Sequence, residues 1–459
     1  MELERIFDGT VLTAEEVLQS RTDRRQRQRE FLKLGHPCLI SFTMNIPGAV
    51  KQFSLAHAAF QVELELLRQE LCGHIIDQNL TESTSGNEAL ICVDLPPKQV
   101  KQCTVALEEY RPLGRLFDID VLDHEGVSIS RIALGLPLRR CLLCGKNAKL
   151  CGRSQAHSLE AVRFVVAQLL TDFFCNQAAD RCAACATRAL LYEVSTTPKP
   201  RLVDRANSGS HKDMNFFTFL DSSAALSPWF REFFCIGWAN ARQQASTLFF
   251  RLRLAGKQAE QAMFSATKGV NTHKGLIFSL GILCGALGAV HSENPFPLPR
   301  ERVFQLCQEL GQCALSDFNA NNIPESNGLW CFRIHQVAGV RGEAAQGFPT
   351  IRNIGLPSLR RRTAQGFSLN DAGAMTLIAL LANTTDTNMI HRGGVKTARK
   401  CQNQAQELLN QIDKDDLYPR LSALDQQYIK ENLSPGGCAD LLALSLMIFF
   451  LEQEGYLSL

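Results

Sequence analysis

"GRLFDIDVLD", at residues 114–123, places two aspartates one residue apart inside an apolar run. Because side chains alternate between the faces of a β-strand, Phe117 and Ile119 are expected on a buried face, with Asp118 and Asp120 together on the opposite face. Two carboxylates that converge in this way are able to hold magnesium ions, as nucleotidyl-transfer chemistry requires. The alternative is an edge strand with a solvated polar face, and the D-x-D pattern alone favours that alternative.

The chain around this stretch predicts an α+β domain. "CLISFTMNI" at 38–46 and "ALICVDL" at 89–95 have the composition of strands, and each is followed by a helical stretch. "VSISRIAL" at 127–134 is expected to form a hairpin with 116–123. A predicted helix over 13–34 carries an arginine-rich patch that we interpret as a solvated face.

After about residue 155 the hydrophobic pattern has a helical period almost throughout, for example over 274–290 and 434–453. This pattern predicts a second, all-α domain. No linker rich in proline, glycine or serine marks the boundary, which we place near residue 175, at a break between two helical stretches. The predicted domains are therefore residues 1–175 and 176–459.

The composition is that of a globular protein of two or three domains, with 459 residues, 45% hydrophobic and 20% charged. The net charge of +2 argues against a general polyanion binder. The N-terminal stretch lacks a secretion signal, and the apolar stretches 276–290 and 441–451 are shorter than a membrane span, so we expect buried helices there. With 17 cysteines and no export signal, a cytoplasmic protein with mostly reduced thiols and no membrane partner is expected.

A turn and a basic segment flank the aspartate pair in the sequence. "MNIPGAVK" at 44–51 follows a strand, and its backbone N–H groups suit a phosphate, with Asn45, Gly48 and Lys51 as contacts. A plain turn into a helix is the alternative. Residues 128–159 contain lysines and arginines but no Asp or Glu, so this surface could hold a triphosphate or dock an acidic partner.

The basic segment also contains the residue types and number of a four-ligand zinc site: Cys141, Cys144, Cys151 and His157. The spacing is tighter than in common zinc fingers. A structural zinc ion and reduced thiols are equally compatible with this pattern. A further C-x-x-C pair at 182–185 could supply ligands, but it lies in a strong helical pattern.

Taken in order, "SFTMNIPGAVK", "LGRLFDIDVLD", "ISRIALGLPLRRCLLCG" and "AKLCGRSQAHS" resemble the citrate lyase holo-acyl-carrier-protein synthase family, an apo-citrate lyase phosphoribosyl-dephospho-CoA transferase, over roughly residues 1–165. The resemblance implies a nucleotidyltransferase-like fold, in which a carrier serine attacks triphosphoribosyl-dephospho-CoA and pyrophosphate leaves. The residues that it brings into the site are Asp118 and Asp120 as catalytic Mg²⁺ ligands, Arg115 beside the phosphates, and Asp94 or Glu109 as a third carboxylate.

Polar loops precede apolar helices at five places in the second half of the chain: 199–219, 267–281, 339–349, 386–394 and 433–444. Helix N-termini have free N–H groups and partial positive charge, so such loops suit phosphates, and carboxylates beside the phosphates suit magnesium. Each loop alone has a plain interpretation as helix capping. Together they predict a polyphosphate site at one end of a helix bundle.

The same loops, in this order, resemble the triphosphoribosyl-dephospho-CoA synthase family over about residues 180–455, except that Arg201 stands where Gly is expected and Cys438 where Ser is expected. The resemblance implies that the 2′-hydroxyl of dephospho-CoA attacks C1′ of the ATP ribose and adenine leaves, which requires an acid and a base. The predicted substrate contacts are Lys212, Asn271, His273, Lys274, Arg341, Arg392 and Asp440. The predicted acids, bases or metal ligands are His211, Asp213, Glu343 and Asp386, with His273 a second candidate acid or base and Mg²⁺ on Asp213 and Asp386.

The interpretation that unites both halves is a bifunctional enzyme that makes and then attaches the prosthetic group of citrate lyase. Its expected substrates are ATP and dephospho-CoA, and its expected partner is the citrate lyase acyl carrier protein, with neither nucleic acid nor membrane. One alternative is that only one half is active and the other is a scaffold. Another is a zinc-stabilised RNA-binding module that uses 128–159, although this segment lacks the interleaved aromatic residues expected for base stacking.

Overall fold

A computed structural model describes residues 3–209, 211–294, 296–316, 327–411, 416–431 and 433–458 of the chain. The chain divides into two compact units, Met1–Phe174 and Cys175–Leu459. The first unit combines helices with a single four-stranded antiparallel sheet, and the second is helical, as the hydrophobic patterns predict. The elements that begin in the first unit are α1 (Leu3–Ile6), α2 (Ala14–Leu32), β1 (Cys38–Met44), α3 (Ser54–Glu70), β2 (Ile75–Thr81), β3 (Glu88–Val93), α4 (Pro97–Tyr110), β4 (Phe117–Asp123), α5 (Ala148–Arg153) and α6 (Leu159–Ser195).

The sheet has the strand order β2-β3-β1-β4, so the strand that carries the aspartate pair lies at an edge. One face of the sheet packs against α3 and α4. Phe42 of β1 stacks on Phe60 of α3 with ring centroids 4.6 Å apart, and meets Phe117 of β4 edge-on at 5.8 Å. The apolar residues of the strands therefore build the core of this unit on that side.

The opposite face of the sheet has an apolar end and a polar end. At the apolar end, the buried side chains Leu39, Leu90, Cys92 and Leu122 pack against Phe31 and Leu32 of α2. At the polar end, Thr43 of β1 pairs with Glu88 on one side and with Asp118 on the other. Residues that pair directly across antiparallel strands point to the same face. The polar end is therefore continuous across three strands.

Two expectations about this region need correction, and one strand was not predicted. The hairpin across residues 124–126 is present but short: the N–H of Asp123 donates to the Val127 carbonyl and that of Ile129 to the Val121 carbonyl, and the pairing ends at the bridge between Leu122 and Ser128. The edge strand β2 was not predicted, because its exposed polar side chains give no hydrophobic alternation. The helix break expected near residue 175 is absent, since α6 is continuous from Leu159 to Ser195.

The second unit continues from α6 through eleven further α-helices within its described residues: α7 (Phe216–Ala239), α8 (Ala245–Ala266), α9 (Lys274–His291), α10 (Arg300–Leu315), α11 (Asn327–His335), α12 (Gly339–Ala345), α13 (Leu356–Ala364), α14 (Leu369–Asn383), α15 (Thr387–Gln411), α16 (Leu417–Lys430) and α17 (Gly436–Gln453). A π-helical turn, Ile351–Gly355, leads directly into α13. α9 and α17 are apolar on all sides and form the centre of its core. A Cβ on Gly237 of α7 would lie 1.9 Å from the carbonyl oxygen of Gly285, so glycine allows α7 and α9 to touch.

By length and composition, α9 and α17 are also long enough to cross a membrane. Within the structure, however, 78% of α9 and 67% of α17 is buried. The two apolar stretches are therefore buried helices, as their sequences predict, and their apolar character is accounted for by the core of the helical unit.

Candidate active sites

The aspartate pair on β4 has the arrangement expected from strand alternation. Phe117 and Ile119 are buried, whereas Asp118 and Asp120 are exposed on the opposite face. The Asp118 side chain is 54% exposed, and its Oδ1 lies 3.6 Å from Nη1 of Arg139. The pair therefore sits at the surface of the sheet, accessible to a ligand and next to a positive charge.

The two carboxylates influence each other electrostatically. The side chain of Asp120 is exposed, but the part of it that contacts the protein is shielded from water. This partial burial, together with the charge of Asp118, raises the pKa of Asp120. The nearby ammonium group of Lys101 acts in the opposite direction. A divalent cation would relieve the repulsion between the two carboxylates. Carboxylate oxygens are the ligands that Mg²⁺ prefers, so the residues present fit this ion.

Buried charged side chains cap the outer edge of β4 between the two aspartates. The N–H of Ile119 donates to Oε1 of Glu108 at 3.1 Å, and Nζ of Lys101 donates to the Ile119 carbonyl at 2.7 Å. Arg139 donates to the Phe117 carbonyl at 2.6 Å. These groups take the place of a neighbouring strand and fix the backbone that carries the pair.

Sequence reasoning missed Lys101 and Glu108, and it assigned Arg139 only to a basic surface. A usable signal was present, because Lys101 and Glu108 lie seven residues apart on the buried side of the amphipathic helix α4. Charged residues are almost never buried without a partner, so two of them on an apolar helix face indicate a paired role.

The predicted phosphate turn lies beside the start of β4. The N–H of Asn45 donates to the Leu116 carbonyl at 2.6 Å, and Gly48 has a φ of +89°, which suits glycine. Nζ of Lys51 donates to the Ile46 carbonyl at 2.6 Å within the turn itself. Burial lowers the pKa of the Lys51 ammonium, and the charge of Arg21 adds to this effect.

The half-buried Arg115 completes the positive charge at the start of β4. Burial lowers its pKa, and the charges of Arg139 and Arg131 lower it further. Arg131 is already paired with Glu108 and Glu109, so the positive charge that an anion would meet here comes from Arg115 and Arg139. The arrangement therefore suits phosphate groups next to the aspartate pair.

The two candidates for a third carboxylate are engaged elsewhere. Asp94 follows β3 and bonds to Nδ1 of His74 at 2.8 Å. It lies at the far end of the sheet from Asp118, because Val93 is opposite Cys38 whereas Asp118 is opposite Thr43, roughly 17 Å along the strand. Glu109 pairs with Arg131. The expectation of a third carboxylate at either position is not supported.

The interpretation of the arginine patch on α2 as a solvated face also needs correction. Arg24 and Arg27 both pair with Glu88, whose side chain is 5% exposed. Gln28 donates to the hydroxyl of Ser41, which lies directly opposite Asp120. This side of α2 therefore lies over the polar end of the sheet, beside the aspartate pair.

The structure brings the predicted zinc ligands together. The ligand atoms of Cys141, Cys144, Cys151 and His157 all lie within 4.8 Å of one another. Cys182 and Cys185 lie instead in the core of the helical unit. The alternative ligand pair suggested by their spacing is therefore already accounted for by core burial.

The helical unit contains a cavity of about 1050 Å³ that is partly open to solvent. It is lined by residues from all five polar loops, together with part of α6. All eleven predicted site residues of this unit line it: His211, Lys212, Asp213, Asn271, His273, Lys274, Arg341, Glu343, Asp386, Arg392 and Asp440. Residues spread over more than 200 positions of sequence thus meet around one space.

Carboxylates are concentrated in one part of this cavity. Burial raises the pKa of Asp440 well above its ordinary value, and the charges of Glu193 and Asp386 add to the shift. Glu193 itself pairs with the buried Lys199. Oδ2 of Asp440 would lie 2.6 Å from a Cβ on Gly275, so glycine is needed at the start of α9 for this approach. Glu193 and Lys199 were not predicted as site residues.

Asp386 has a structural task that sequence reasoning did not anticipate. Its Oδ1 accepts from the N–H groups of Asn388 and Met389 at 2.8 and 3.1 Å, and its Oδ2 accepts from that of Cys438 at 2.9 Å. It thereby joins the starts of α15 and α17. With three backbone N–H groups already bound, Asp386 is poorly placed as the metal ligand that we predicted.

Asp213, the other predicted Mg²⁺ ligand of this unit, is exposed, and its Oδ1 lies 3.9 Å from Nδ1 of His211. Among the described residues of the helical unit, no three carboxylate, imidazole or thiol groups form a preassembled metal site. Burial lowers the pKa of His211, and the charge of Arg392 adds to this effect. His211 is therefore favoured in its neutral form.

His273 stands at the end of a hydrogen-bonded relay of hydroxyl groups. Thr272 donates to Ser222 at 2.7 Å, and Ser222 lies 2.7 Å from Nδ1 of His273. Burial, with the charge of Lys199, lowers the pKa of His273 to about 3, so its imidazole is neutral. Its Nε2 is buried without a hydrogen-bond partner among the described residues. The ring therefore offers one polar atom to a ligand.

The remaining polar groups are held in different ways. Both oxygens of Glu343 accept from Thr350, and burial raises the Glu343 pKa. Oδ1 of Asn271 accepts from the N–H of Lys274 at 3.2 Å, so Asn271 caps the first turn of α9. Nζ of Lys274 lies 3.1 Å from Glu260. Lys212 and Arg392 are exposed, and Arg341 is half-buried.

The two departures from the expected family pattern have visible consequences. Arg201 adopts a φ of +57°, a conformation that favours glycine, and its N–H donates to Oδ1 of Asp425. Burial lowers the pKa of Arg201 to about 10. The thiol of Cys438 is fully buried next to Asp386, where a serine hydroxyl would also fit.

Comparisons with known proteins divide the chain in two. Residues 179–458 match the CitG family, described as ATP:dephospho-CoA triphosphoribosyl transferase. Residues 12–173 match the CitX family, described as apo-citrate lyase phosphoribosyl-dephospho-CoA transferase. The second unit alone resembles a protein of Streptococcus equi subsp. equi named "Probable 2-(5''-triphosphoribosyl)-3'-dephosphocoenzyme-A synthase", which is 42% identical over 59% of this chain and 96% of that protein.

Two relatives match over almost the whole length. Protein CitXG of Haemophilus influenzae is 33% identical, over 98% of this chain and 98% of that protein. Protein CitXG of Leuconostoc mesenteroides subsp. cremoris is 34% identical, over 96% of this chain and 97% of that protein.

Proposed function

This chain belongs to the family of fusion proteins that join a CitX domain to a CitG domain, and we propose that it catalyses two consecutive transfers. The helical unit makes 2′-(5″-triphosphoribosyl)-3′-dephospho-CoA from ATP and dephospho-CoA, with release of adenine. The N-terminal unit then transfers the phosphoribosyl-dephospho-CoA group to a serine of the citrate lyase acyl carrier protein, with release of pyrophosphate.

The observation that carries this proposal is the cavity of the helical unit. Its volume of about 1050 Å³ is at the upper end of ordinary ligand pockets, as a site for ATP and the reacting end of dephospho-CoA requires. It combines cations suited to a triphosphate with a group of carboxylates. The cations proposed as triphosphate contacts are Lys212, Lys274, Arg341 and Arg392.

We assign the base of the first transfer to Asp440. The attacking 2′-hydroxyl must lose its proton as the bond to C1′ of the ATP ribose forms. Because burial and the neighbouring charges of Glu193 and Asp386 raise the pKa of Asp440, its carboxylate accepts a proton more readily than an ordinary aspartate. Its negative charge also stabilises the positive charge that develops at C1′ as the bond to adenine breaks.

We assign His273 to the leaving adenine. Thr272 donates to Ser222, so the proton of the Ser222 hydroxyl is available to Nδ1 of His273. In that arrangement Nε2 carries the hydrogen. We propose that this N–H donates a hydrogen bond to a ring nitrogen of adenine as the bond to C1′ breaks, and that the departing adenine takes its proton from solvent.

For the second transfer we propose a nucleotidyltransferase-like site on β4, with Mg²⁺ held by Asp118 and Asp120. When bound, Mg²⁺ supplies positive charge to the phosphate under attack and to the departing pyrophosphate. Arg115 and Arg139 neutralise the other phosphate oxygens. The carrier serine forms a new O–P bond to the phosphate nearest the ribose, its proton passes to solvent, and the bond to pyrophosphate breaks.

The acid-free segment 128–159 is proposed as the surface that meets the acyl carrier protein. Its lysines and arginines complement an acidic partner, and it leads directly from the end of β4. A cytoplasmic location agrees with the substrates, ATP and dephospho-CoA.

The test uses two assays of the full chain. Adenine release from ATP and dephospho-CoA is measured without the carrier, and labelling of the apo-carrier is measured with synthetic triphosphoribosyl-dephospho-CoA. Both reactions are expected from the wild-type chain. Absence of adenine release would overturn the function of the helical unit, and absence of labelling would overturn that of the N-terminal unit.

A further inference from the structure

Residues 123–160 form a defined structure without a hydrophobic core. All of these residues are described, and none of them belongs to the buried class. The segment nevertheless contains an ordered turn and the helix α5. Ile129 and Leu142 pack against the core of the N-terminal unit, and Arg131 pairs with Glu108 and Glu109. Residues 143–157 have no such contact with that core, so another interaction must stabilise this part of the segment.

The chemistry of four side chains supplies that interaction. We propose that Cys141, Cys144, Cys151 and His157 bind one structural Zn²⁺, which goes beyond the two transfer reactions. Their ligand atoms lie within 4.8 Å of one another. Three thiolates and one imidazole in a tetrahedron are a set that zinc prefers.

The distances agree with a metal centre better than with a disulfide. The Sγ atoms of Cys144 and Cys151 are 3.5 Å apart. Two thiolates bound to one zinc at about 2.3 Å lie about 3.8 Å apart in a tetrahedron, whereas bonded sulfurs lie about 2.05 Å apart. Nε2 of His157 is buried without a hydrogen-bond partner among the described residues, as expected for an atom whose partner is a metal ion.

The backbone presents the four ligands from a turn and a short helix. The N–H of Cys141 donates to the Lys146 carbonyl, and the N–H of Gly145, whose φ is +69°, donates back to the Cys141 carbonyl at 3.2 Å. Asn147 caps α5, which carries Cys151. The N–H of Ala156 donates to the Cys151 carbonyl at 3.1 Å and turns the chain towards His157.

The charge of the segment complements the site. Zinc with three thiolates and a neutral imidazole carries one net negative charge. The surrounding positions supply only positive charges: Arg139, Arg140, Lys146, Lys149 and Arg153. These cations complement the negative charge that the occupied site would carry.

The site has a consequence for the aspartate pair on β4. The N–H of Ala148 donates to the Arg139 carbonyl at 2.9 Å, and Arg140 bridges to Asn147. Arg139 in turn bonds to the Phe117 carbonyl and lies 3.6 Å from Asp118. Zinc would thus fix the segment that delivers Arg139 to the start of β4.

The first test is the metal content of the full chain, purified without chelators and measured by plasma mass spectrometry. We expect about one zinc per chain in the wild type and its loss in Cys144→Ser and Cys151→Ser. Cys72→Ser is the matched control, because Cys72 is also an exposed free thiol of the same unit, and it should keep the zinc. A wild-type chain without zinc, or equal zinc in all three variants, would overturn the proposal.

A second measurement needs no variant and so does not depend on the folding of one. In the wild-type chain, zinc should slow alkylation of Cys144 and Cys151, and a chelator should accelerate it, while Cys72 reacts at the same rate in both conditions. Substitution of Co²⁺ should produce a thiolate-to-cobalt absorption band. A disulfide between Cys144 and Cys151 in the untreated chain, or alkylation rates that the chelator leaves unchanged, would contradict the site.

Discussion

The aspartate site on β4 and the cavity of the helical unit perform their proposed chemistry with opposite designs. The first uses two carboxylates of one strand that remain open to solvent. The second gathers residues from five loops around one pocket, where burial raises the pKa values of Glu193, Glu343, Asp386 and Asp440. A site on an open strand suits a protein substrate whose serine must reach the phosphate, whereas a deep pocket suits a small-molecule reaction that needs several buried groups.

The difference also changes what each carboxylate does. On β4 the structural work is done by Lys101, Glu108 and Arg139, which leaves Asp118 and Asp120 available for a ligand. In the cavity, aspartates serve both structure and chemistry. Asp386 binds backbone N–H groups at the starts of two helices, whereas Asp440 is the proposed base. Substitutions should therefore separate activity from stability at β4 more cleanly than in the cavity.

The largest effect is expected at β4. Asp118→Asn and Asp120→Asn should each reduce carrier labelling on the order of 10³-fold, because each removes a charged ligand of the metal that stabilises the transferred phosphate. Adenine release should be unchanged. The matched control is Asp77→Asn, an exposed aspartate on the other edge strand, β2. If labelling survives in both variants, the metal assignment is wrong.

In the cavity, His273→Gln should reduce adenine release by roughly 10²-fold, since the amide cannot reproduce the geometry of the Nε2 donor. Labelling with synthetic triphosphoribosyl-dephospho-CoA should be kept. Because the pKa of His273 is about 3, this side chain does not titrate near neutral pH. The pH profiles of adenine release by the wild type and by the variant should therefore have the same shape in that range. His335→Gln, outside the cavity, is the control, and an equal loss there would contradict the role of His273.

A smaller effect concerns the stability of the helical unit. The raised pKa of Asp440 means that the folded chain holds this proton more tightly than the unfolded chain does. The free energy of unfolding therefore falls as the pH rises from the pKa of Asp440 in the unfolded chain to its higher pKa in the folded chain. Asp440→Asn has no carboxyl group to ionise, so its stability does not fall in this way. The variant should melt a few degrees above the wild type at pH 8, with a smaller difference at pH 5, while adenine release is lost.

The control for this pH dependence is Asp213→Asn, because Asp213 is an exposed cavity residue. Thermal unfolding of the two variants and the wild type at both pH values gives the comparison. If the melting temperatures of Asp440→Asn and the wild type differ less at pH 8 than at pH 5, then ionisation of Asp440 does not destabilise the folded chain, and the raised pKa is contradicted.

The smallest expected effect is a difference in unfolding free energy between two variants at Arg201. Both Arg201→Gly and Arg201→Ala delete the buried guanidinium, but only glycine adopts the φ of +57° without strain. Arg201→Gly should therefore be about 1 kcal/mol more stable to unfolding than Arg201→Ala. Equal stabilities in denaturant unfolding would mean that this loop relaxes to another conformation.

The sequence predicted local features well where one element carries the whole pattern. The alternation of Phe117, Asp118, Ile119 and Asp120 is a property of a single strand, and it was correct. The hairpin beyond Asp123 was predicted too long: "VSISRIAL" alternates as a strand does, but its pairing with β4 ends at the bridge between Leu122 and Ser128. Strand β2 was missed since its polar side chains face solvent.

Features that depend on distant partners could not be predicted in the same way. Asp386 resembles a metal ligand or a cap within its own loop, and only the fold reveals its bond to Cys438, 52 residues away. The positions of Lys101 and Glu108 on the buried side of α4 indicate that they have partners, but only the fold shows that these partners are backbone groups of β4. The cavity residues were predicted because all five loops are polar stretches before apolar helices. Which of these residues contact the substrate and which only hold the backbone in place depends on packing, which the sequence does not show.

We propose that two independent sites act in sequence, and the intact mass of the apo-carrier is the sharpest test of this sequence. The carrier is incubated with ATP, dephospho-CoA, Mg²⁺ and either the Asp118→Asn chain, the His273→Gln chain or both, for a time that suffices for the wild type but not for a chain in which one transfer is roughly 10²-fold slower. We predict that the mixture adds the phosphoribosyl-dephospho-CoA mass and that neither variant alone does so. Labelling by either variant alone, or none by the mixture, would contradict the claim.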